Sequence, residues 1–326
     1  MTTHPSPTGD PADGPAPATA RVGARPAPDR SWLVVFFVGL ALWGLTVLVT
    51  FATGNANLLP TLVLLGSFLV PVTFVAWAYD RLGPSTALTP RRILAAFMVG
   101  GTLGVLGASV LESYFLHPSV WMYVGVGLIE EGVKLAALWL MALHLTHYTR
   151  RDGMVLGAAV GFGFAALESS GYALTALVTV KGLSLTSLVQ TEVLRGLLAP
   201  FGHGLWTAII GAVLFSTAAR GGRPRLTGGL VGAFLGVSVL HALWDSMHGI
   251  AIAVALNLTG TAWQWRLIDT GYLPQPSQAQ VNLILALQVV GWIVVSAVAV
   301  LWLRALAGRP QPAPVPGAAH AAPSRR

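Results

Sequence analysis

In a chain of 326 residues, Lys, Arg, Asp and Glu make up 10% and hydrophobic residues 54%. A soluble domain clothes its surface with about 25% charged residues, so an ordinary soluble enzyme is excluded. The absence of cysteine removes disulfides, thiolate catalysis and cysteine-ligated metal or iron–sulfur sites, and the formal net charge of +7 first asks which side of a membrane holds the positive residues.

Residues 1 to about 30 are rich in Pro, Ala, Thr and Gly and contain no apolar run, the composition of a disordered tail rather than of a cleaved signal peptide. Eight apolar segments follow, over 32–53, 60–79, 92–115, 121–146, 153–178, 196–219, 227–250 and 281–306. Each reaches the ~20 residues that a helix needs to cross ~30 Å of hydrocarbon. The 181–195 stretch carries Lys181, Glu192 and Arg195 and is too polar to span, which leaves a loop, a short interfacial helix or a re-entrant piece. Gly153, Gly157 and Gly161 form one small-residue ladder, and Gly228, Gly232 and Gly236 another. Such ladders let helix backbones approach, so segments five and seven are expected to be central. The 251–280 loop holds Trp263 and Trp265, which read as interfacial anchors. Residues 308–326 form a second tail.

The basic residues set the topology. Arg21, Arg25 and Arg30 precede the first segment; Arg81, Arg91 and Arg92 follow the second; Arg150 and Arg151 follow the fourth. Arg220, Arg223 and Arg225 follow the sixth, and Arg304, Arg309, Arg325 and Arg326 close the eighth. These are 15 of the 19 basic residues, all on alternate faces. The positive-inside rule then places both termini in the cytoplasm, as an even number of spans demands. The expectation is an all-α polytopic membrane protein, a bundle of about eight transmembrane helices spanning residues 31–307.

Ionisable groups in the middle of such helices face the interior or a wet cavity, since a charge in lipid costs roughly 2.5–3.5 kcal/mol on insertion scales. Segment four carries Glu130, Glu131 and Lys134; the spacings of three and four residues let the lysine approach either carboxylate. Two adjacent carboxylates are not both satisfied by one lysine, which leaves one as a candidate base. Segment five carries Glu168, with Tyr172 one turn on as a hydroxyl donor. Segment six carries His203, seven to ten residues inside by these boundaries. Segment seven carries His241, with Asp245 one turn on to orient it, and His248 near the outer end. At 1.5 Å per residue, Glu130, Glu168, His203 and His241 all lie roughly 10–15 Å below the outer ends of their helices. Four helices thus bring carboxylates and imidazoles to one layer. Such a set can hold a divalent metal and activate its water, or use a glutamate as base on water directly, with an imidazole serving the oxyanion. Membrane carboxylates and histidines also relay protons in carriers, but the two halves show no internal repeat. A scaffold that retains the layer without catalysis is a further alternative.

Glu130-Glu131-x-x-Lys134, Phe164-x-x-x-Glu168 with Tyr172, His203, and His241 with Asp245, in order on successive helices, resemble the PrsW family of bacterial intramembrane proteases, within the wider CAAX-protease and bacteriocin-processing superfamily. The resemblance covers about residues 120–250. It implies a protease of the bacterial cytoplasmic membrane whose partners are the lipid bilayer and a membrane-anchored protein, an anti-sigma factor among the candidates, and no nucleic acid. On this reading Glu130 is the base with Glu131 beside it, and Lys134 orients the pair. His203 and His241, the latter steered by Asp245, share oxyanion or ligand duty. Glu168 is a supporting acid or ligand, and Arg195 and Glu192 line the entrance. The cofactor is zinc or none. If a metal is held, its expected ligands are His203, His241, Glu168 and Glu131.

Overall fold

A computed structural model describes Met1 and residues 30–310, apart from Pro84 and Thr86. The expected tails thus lie outside the described residues, except for Met1, Arg30 and 308–310. The described residues are helical almost throughout, because apolar segments in lipid must satisfy every backbone group internally. The helices are α1 (Ser31–Thr53), α2 (Leu59–Leu82), α3 (Pro90–Met98), α4 (Gly104–Phe115), α5 (Met122–Ala142), α6 (Arg150–Leu177), α7 (Leu185–Leu198), α8 (His203–Gly221), α9 (Gly228–Thr259), α10 (Ala262–Asp269) and α11 (Gln278–Ala307). A two-stranded hairpin, β1 (Val178–Thr179) with β2 (Gly182–Leu183), links α6 to α7.

Among the described residues, seven helical runs are long and apolar enough to cross a membrane. α5, 21 residues long, is a candidate eighth; it is set apart from those seven by Glu130, Glu131 and Lys134. The expectation of an all-α polytopic architecture stands. Several boundaries differ. α5 stops at Ala142 rather than 146. α9 runs on to Thr259, so Ile252 to Leu258 continue segment seven, one of the two readings open for them, rather than lying in the interface. The 251–280 loop contains α10, whose buried Gln264 bonds Gln280 of α11. α3 and α4 form one traverse interrupted by a π-helical turn at Val99–Leu103.

The main correction concerns segment six. The 181–195 stretch is the hairpin and most of α7, and α7 and α8 together make one candidate span, Leu185–Arg220. The helix is broken by a 3₁₀ turn at Ala199–Phe201 and by Gly202. Pro200 has no N–H to bond the preceding turn, which weakens the helix where the 3₁₀ turn and Gly202 interrupt it. α7 and α8 follow α6 antiparallel along its whole length: Leu188 clusters with Ala173 and Leu177, Arg195 reaches Glu168 and Ser169, and His203, Thr207 and Gly211 meet Gly161, Gly157 and Gly153.

That last contact is the expected glycine ladder at work. A Cβ on Gly153, Gly157 or Gly161 would overlap the backbone of α8, so only glycine permits this approach. On its other side α6 meets the π-helical turn, where Gly100 touches the Val160 backbone. α6 is accordingly the central helix, with 83% of its apolar window buried. The second ladder does something else. Gly236 accommodates the Trp302 ring, while a Cβ on Gly228 or Gly232 would meet nothing within 4 Å. α9 is therefore less central than expected. It pairs with α5 on one side, where Gly127 lies on the Ser238 carbonyl, and with α11 on the other. α1 rests on α2 and is the most exposed traverse, with 6% of its window buried.

Candidate functional site

Five helices deliver the ionisable residues to one place. α5 contributes Glu130, Glu131 and Lys134, α6 contributes Glu168, α7 contributes Arg195, α8 begins at His203, and α9 contributes His241 and Asp245. The expectation of a common layer is met, although His203 reaches it differently: it is the first residue of α8, not a residue deep inside a longer helix. The break between α7 and α8 sets its depth.

Lys134 organises the cluster and is fully buried. An ammonium has three donors. The Lys134 Nζ lies 2.7 Å from Glu131 Oε1, 2.8 Å from His203 Nδ1 and 3.3 Å from Glu130 Oε2, which uses all three. The lysine therefore bridges both glutamates rather than serving one, and Glu130 has the weaker share. The Phe164 ring closes the remaining side, its centroid 4.2 Å from Nζ.

The histidine tautomers follow from these contacts. His203 Nδ1 accepts from Lys134, so its Nε2–H donates to Glu168 Oε2, 3.0 Å away. His241 Nδ1–H donates to Glu131 Oε1 at 3.0 Å. Glu131 thus shares the orienting part expected of Asp245, whose Oδ2 stands 3.3 Å from His241 Nε2, on the ring's other side. Aromatic walls fix both rings: His203 lies 5.2 Å from Phe164, and His241 lies 4.8 Å from the fully buried Trp206, measured between ring centroids.

Each imidazole is therefore held at one nitrogen by a carboxylate from another helix, and its second nitrogen, which meets Lys134 in His203 and Asp245 in His241, also lies near Glu130. Glu130 Oε2 is 3.7 Å from His241 Nε2 and 3.9 Å from His203 Nδ1. One ligand atom from each of Glu130, His203 and His241 lies within 4.8 Å of the others. Zinc bonds of about 2.0–2.2 Å in a tetrahedron put ligands roughly 3.3–3.5 Å apart, so a modest contraction would close this set around one cation. A carboxylate behind each metal-binding imidazole is also the usual supporting arrangement. The donor set fits a divalent metal on one condition: Lys134 must give up the His203 Nδ1 lone pair and retain Glu131. The grouping differs from the expected ligand set. Glu130 joins the two histidines, while Glu131 and Glu168 stand behind the rings.

Other expectations are redistributed. The partners of Glu168 are His203 and Arg195, whose Nη2 donates to Oε2. Arg195 also donates from Nε to Ser169 Oγ at 2.7 Å and lies over the Tyr172 ring, 4.2 Å from its centroid. Tyr172 therefore supports the arginine. Arg195 is part of the cluster rather than of its entrance. Glu192 is buried one turn away and accepts from Trp43 Nε1 at 2.8 Å. His248 is exposed and bonds Gln288. Sequence reasoning passed over Glu112 of α4, which has one buried oxygen without a partner and lies within electrostatic range of Glu168, His241 and Asp245. Its only signal was a single carboxylate near the outer end of segment three.

Exposure gives the cluster a direction. The side chains of Lys134, Glu131 and His241 are 0–1% exposed, whereas those of Asp245, Arg195 and Glu168 are 30%, 26% and 19% exposed. The layer is sealed behind Lys134 and open past Asp245 and Arg195.

Comparison with known proteins now bears on this arrangement. The profile of the PrsW family intramembrane metalloproteases matches residues 89–268, which hold every residue of the cluster. Two curated relatives, each named Protease PrsW, are similar in sequence. The one from Halalkalibacterium halodurans is 25% identical over 156 residues, covering 48% of this chain and 66% of the relative. The one from Shouchella clausii is 32% identical over 81 residues, covering 24% of this chain and 38% of the relative. The chain thus spans less than two thirds of the length of either. No solved structure matches.

Proposed function

This chain belongs to the PrsW family, and on that premise we propose that it is an intramembrane endopeptidase of the bacterial cytoplasmic membrane. Its substrate on this reading is a membrane-anchored protein, with an anti-sigma factor as one candidate, and both of its termini lie in the cytoplasm. One observation carries the proposal: two imidazoles, one backed by Glu168 and one by Glu131, converge with Glu130 so that one ligand atom of each lies within 4.8 Å of the others.

Glu130 acts as general base. It takes a proton from the water that attacks the scissile carbonyl carbon and returns it to the departing amide nitrogen. Lys134 and Arg195 supply fixed positive charge beside the developing oxyanion, in a dry setting where such charge counts most. Glu131 and Glu168 hold the two imidazoles in orientation. The substrate chain arrives from the open side, past Asp245 and Arg195. If a metal is resident, Glu130, His203 and His241 would hold it, and it would supply Lewis-acid polarisation and a more acidic water.

The test is cleavage of a co-reconstituted membrane-anchored substrate by purified protein in liposomes. Glu130→Gln should lower the rate by at least ~10²-fold while leaving the unfolding midpoint near that of wild type. Wild-type cleavage by the Glu130→Ala/Glu131→Ala double variant would sink the mechanism. Metal analysis on the same preparations decides the cofactor. About one zinc per chain, lost in His203→Ala/His241→Ala, identifies a metal site; an active protein without metal leaves Glu130 acting on water alone.

A further inference from the structure

Behind Arg195, where α2, α6 and α7 meet, a narrow cavity is lined by Ser67 and Pro71 of α2, Ser169 of α6, and Glu192, Arg195 and Gly196 of α7. Glu192 and Ser67 are only 4% and 5% exposed. The Glu192 carboxylate lies against Gly66, where a Cβ would overlap it. Trp43 Nε1 donates to its Oε2 at 2.8 Å. Glu192 Oε1 and Ser67 Oγ are buried without a partner among the described residues, and neither bonds the other. The helices around them, α1, α2, α6 and α7, are described along their whole lengths.

Two prolines add further oxygens. Pro71 has no N–H for the Ser67 carbonyl one turn before it, and Pro200 has none for the Gly196 carbonyl. Both carbonyls thus lose their usual helical donor, and both belong to residues of the cavity wall. The polar groups gathered with Glu192 are therefore oxygens: two carbonyls and the hydroxyls of Ser67 and Ser169. The one cation in the lining, Arg195, is committed elsewhere, its Nη2 donating to Glu168 and its Nε to Ser169.

A buried carboxylate met by one neutral donor is costly to keep charged. A proton would neutralise it and leave the other oxygens as they are. A water molecule, with contacts near 2.8 Å, finds no room. A small bare cation meets all of these oxygens at once, since such groups replace an ion's hydration shell. Broken membrane helices hold Na⁺ in this way, through carbonyls at the ends of half-helices. α7 is such a half-helix, ending at the Ala199–Phe201 turn. A single negative charge matches a monovalent ion better than Ca²⁺, whose tight sites gather several carboxylates. We propose that Glu192, Ser67 and the Ser67 and Gly196 carbonyls bind one sodium ion. Bound there, sodium ties α2 to the end of α7, the segment from which Arg195 reaches Glu168.

Two measurements on the purified full chain in detergent test this: retention of radioactive sodium, and the unfolding midpoint in NaCl, KCl and N-methylglucamine chloride at equal ionic strength. Wild type should retain sodium saturably, and its midpoint should rise with NaCl, as for any ligand of the folded state, and not with N-methylglucamine. Glu192→Gln removes the charge at nearly unchanged volume and should abolish both effects. Ser67→Ala should weaken retention roughly tenfold, the loss of one polar contact to a charged group. Glu130→Gln should retain sodium as wild type does, which separates this cavity from the Glu130 cluster. Absence of saturable retention by wild type overturns the proposal in favour of a proton on Glu192. Undiminished retention in both Glu192→Gln and Ser67→Ala, or midpoints that rise equally in all three salts, overturns it as well. Displacement by potassium or calcium as readily as by unlabelled sodium overturns the assignment to sodium. If Glu192→Gln does not fold, Ser67→Ala and the wild-type retention decide the matter.

Discussion

Replacing Lys134 by methionine keeps the stem of the side chain and removes its charge. The structure sets the size of the effect. Lys134 is the ammonium within 2.7 Å of Glu131, and Glu131 is fully buried with one oxygen, Oε2, already without a partner. Glu130 and His203 lose their contacts at the same stroke. Removing one member of a buried ion pair costs about 3–5 kcal/mol, because the other charge stays behind. A native domain holds only about 5–15 kcal/mol in total, so Lys134→Met should bring the protein close to the edge of folding. Adding Glu131→Gln should return at least half of that loss, giving a coupling well beyond the ~0.5 kcal/mol expected of independent sites. Denaturant unfolding in mixed micelles, followed by tryptophan signals with the Trp206 ring 4.8 Å from that of His241, measures both variants. A single variant within about 0.5 kcal/mol of wild type, the span of an ordinary surface change, would refute the argument, as would two losses that simply add.

Two further outcomes follow from packing and from a second buried carboxylate. Gly163→Ala should cost about 1–3 kcal/mol, the usual range for overpacking, because its Cβ would overlap the Phe97 backbone; Gly171→Ala on the same helix meets no atom within 4 Å and should not destabilise in the same unfolding assay. Trp43→Phe removes the hydrogen bond to Glu192, whose other oxygen has no partner, and should cost about 1–3 kcal/mol. Glu192→Leu in that background should recover most of it, and a failure to recover would show that the tryptophan acts by packing alone.

Hydropathy made most of this architecture legible, because a bilayer imposes a minimum apolar length on each span. The Glu130 layer was legible for a related reason: a charge inside such a segment must have company. The order of partners was not. Spacing on α9 put Asp245 beside His241, where it meets Nε2, but not Glu131, which meets Nδ1 from another helix, since only three-dimensional approach decides that second partner. The break at Pro200–Gly202 was hidden because an apolar window reads through a 3₁₀ turn. It moved His203 to a helix start and drew Arg195, expected at the entrance, onto Glu168. Glycine spacing was likewise ambiguous. The same four-residue period marks a backbone contact on α6 and open positions at Gly228 and Gly232 on α9.

The sheathing of α6 has a mechanical consequence. A bilayer that is too thick or too thin acts on the helices that touch it, by tilting or stretching the lipid around them. Here those are α1 and α11, with 6% and 11% of their windows buried, while α6 is screened by its neighbours. Thickness differences should therefore be absorbed as tilt at the rim, and the spacing between Glu168 and His203 should hold as acyl chain length varies. The molecule behaves as a rigid spindle in a compliant collar, so its reactive layer can keep one geometry as the composition of the surrounding membrane changes.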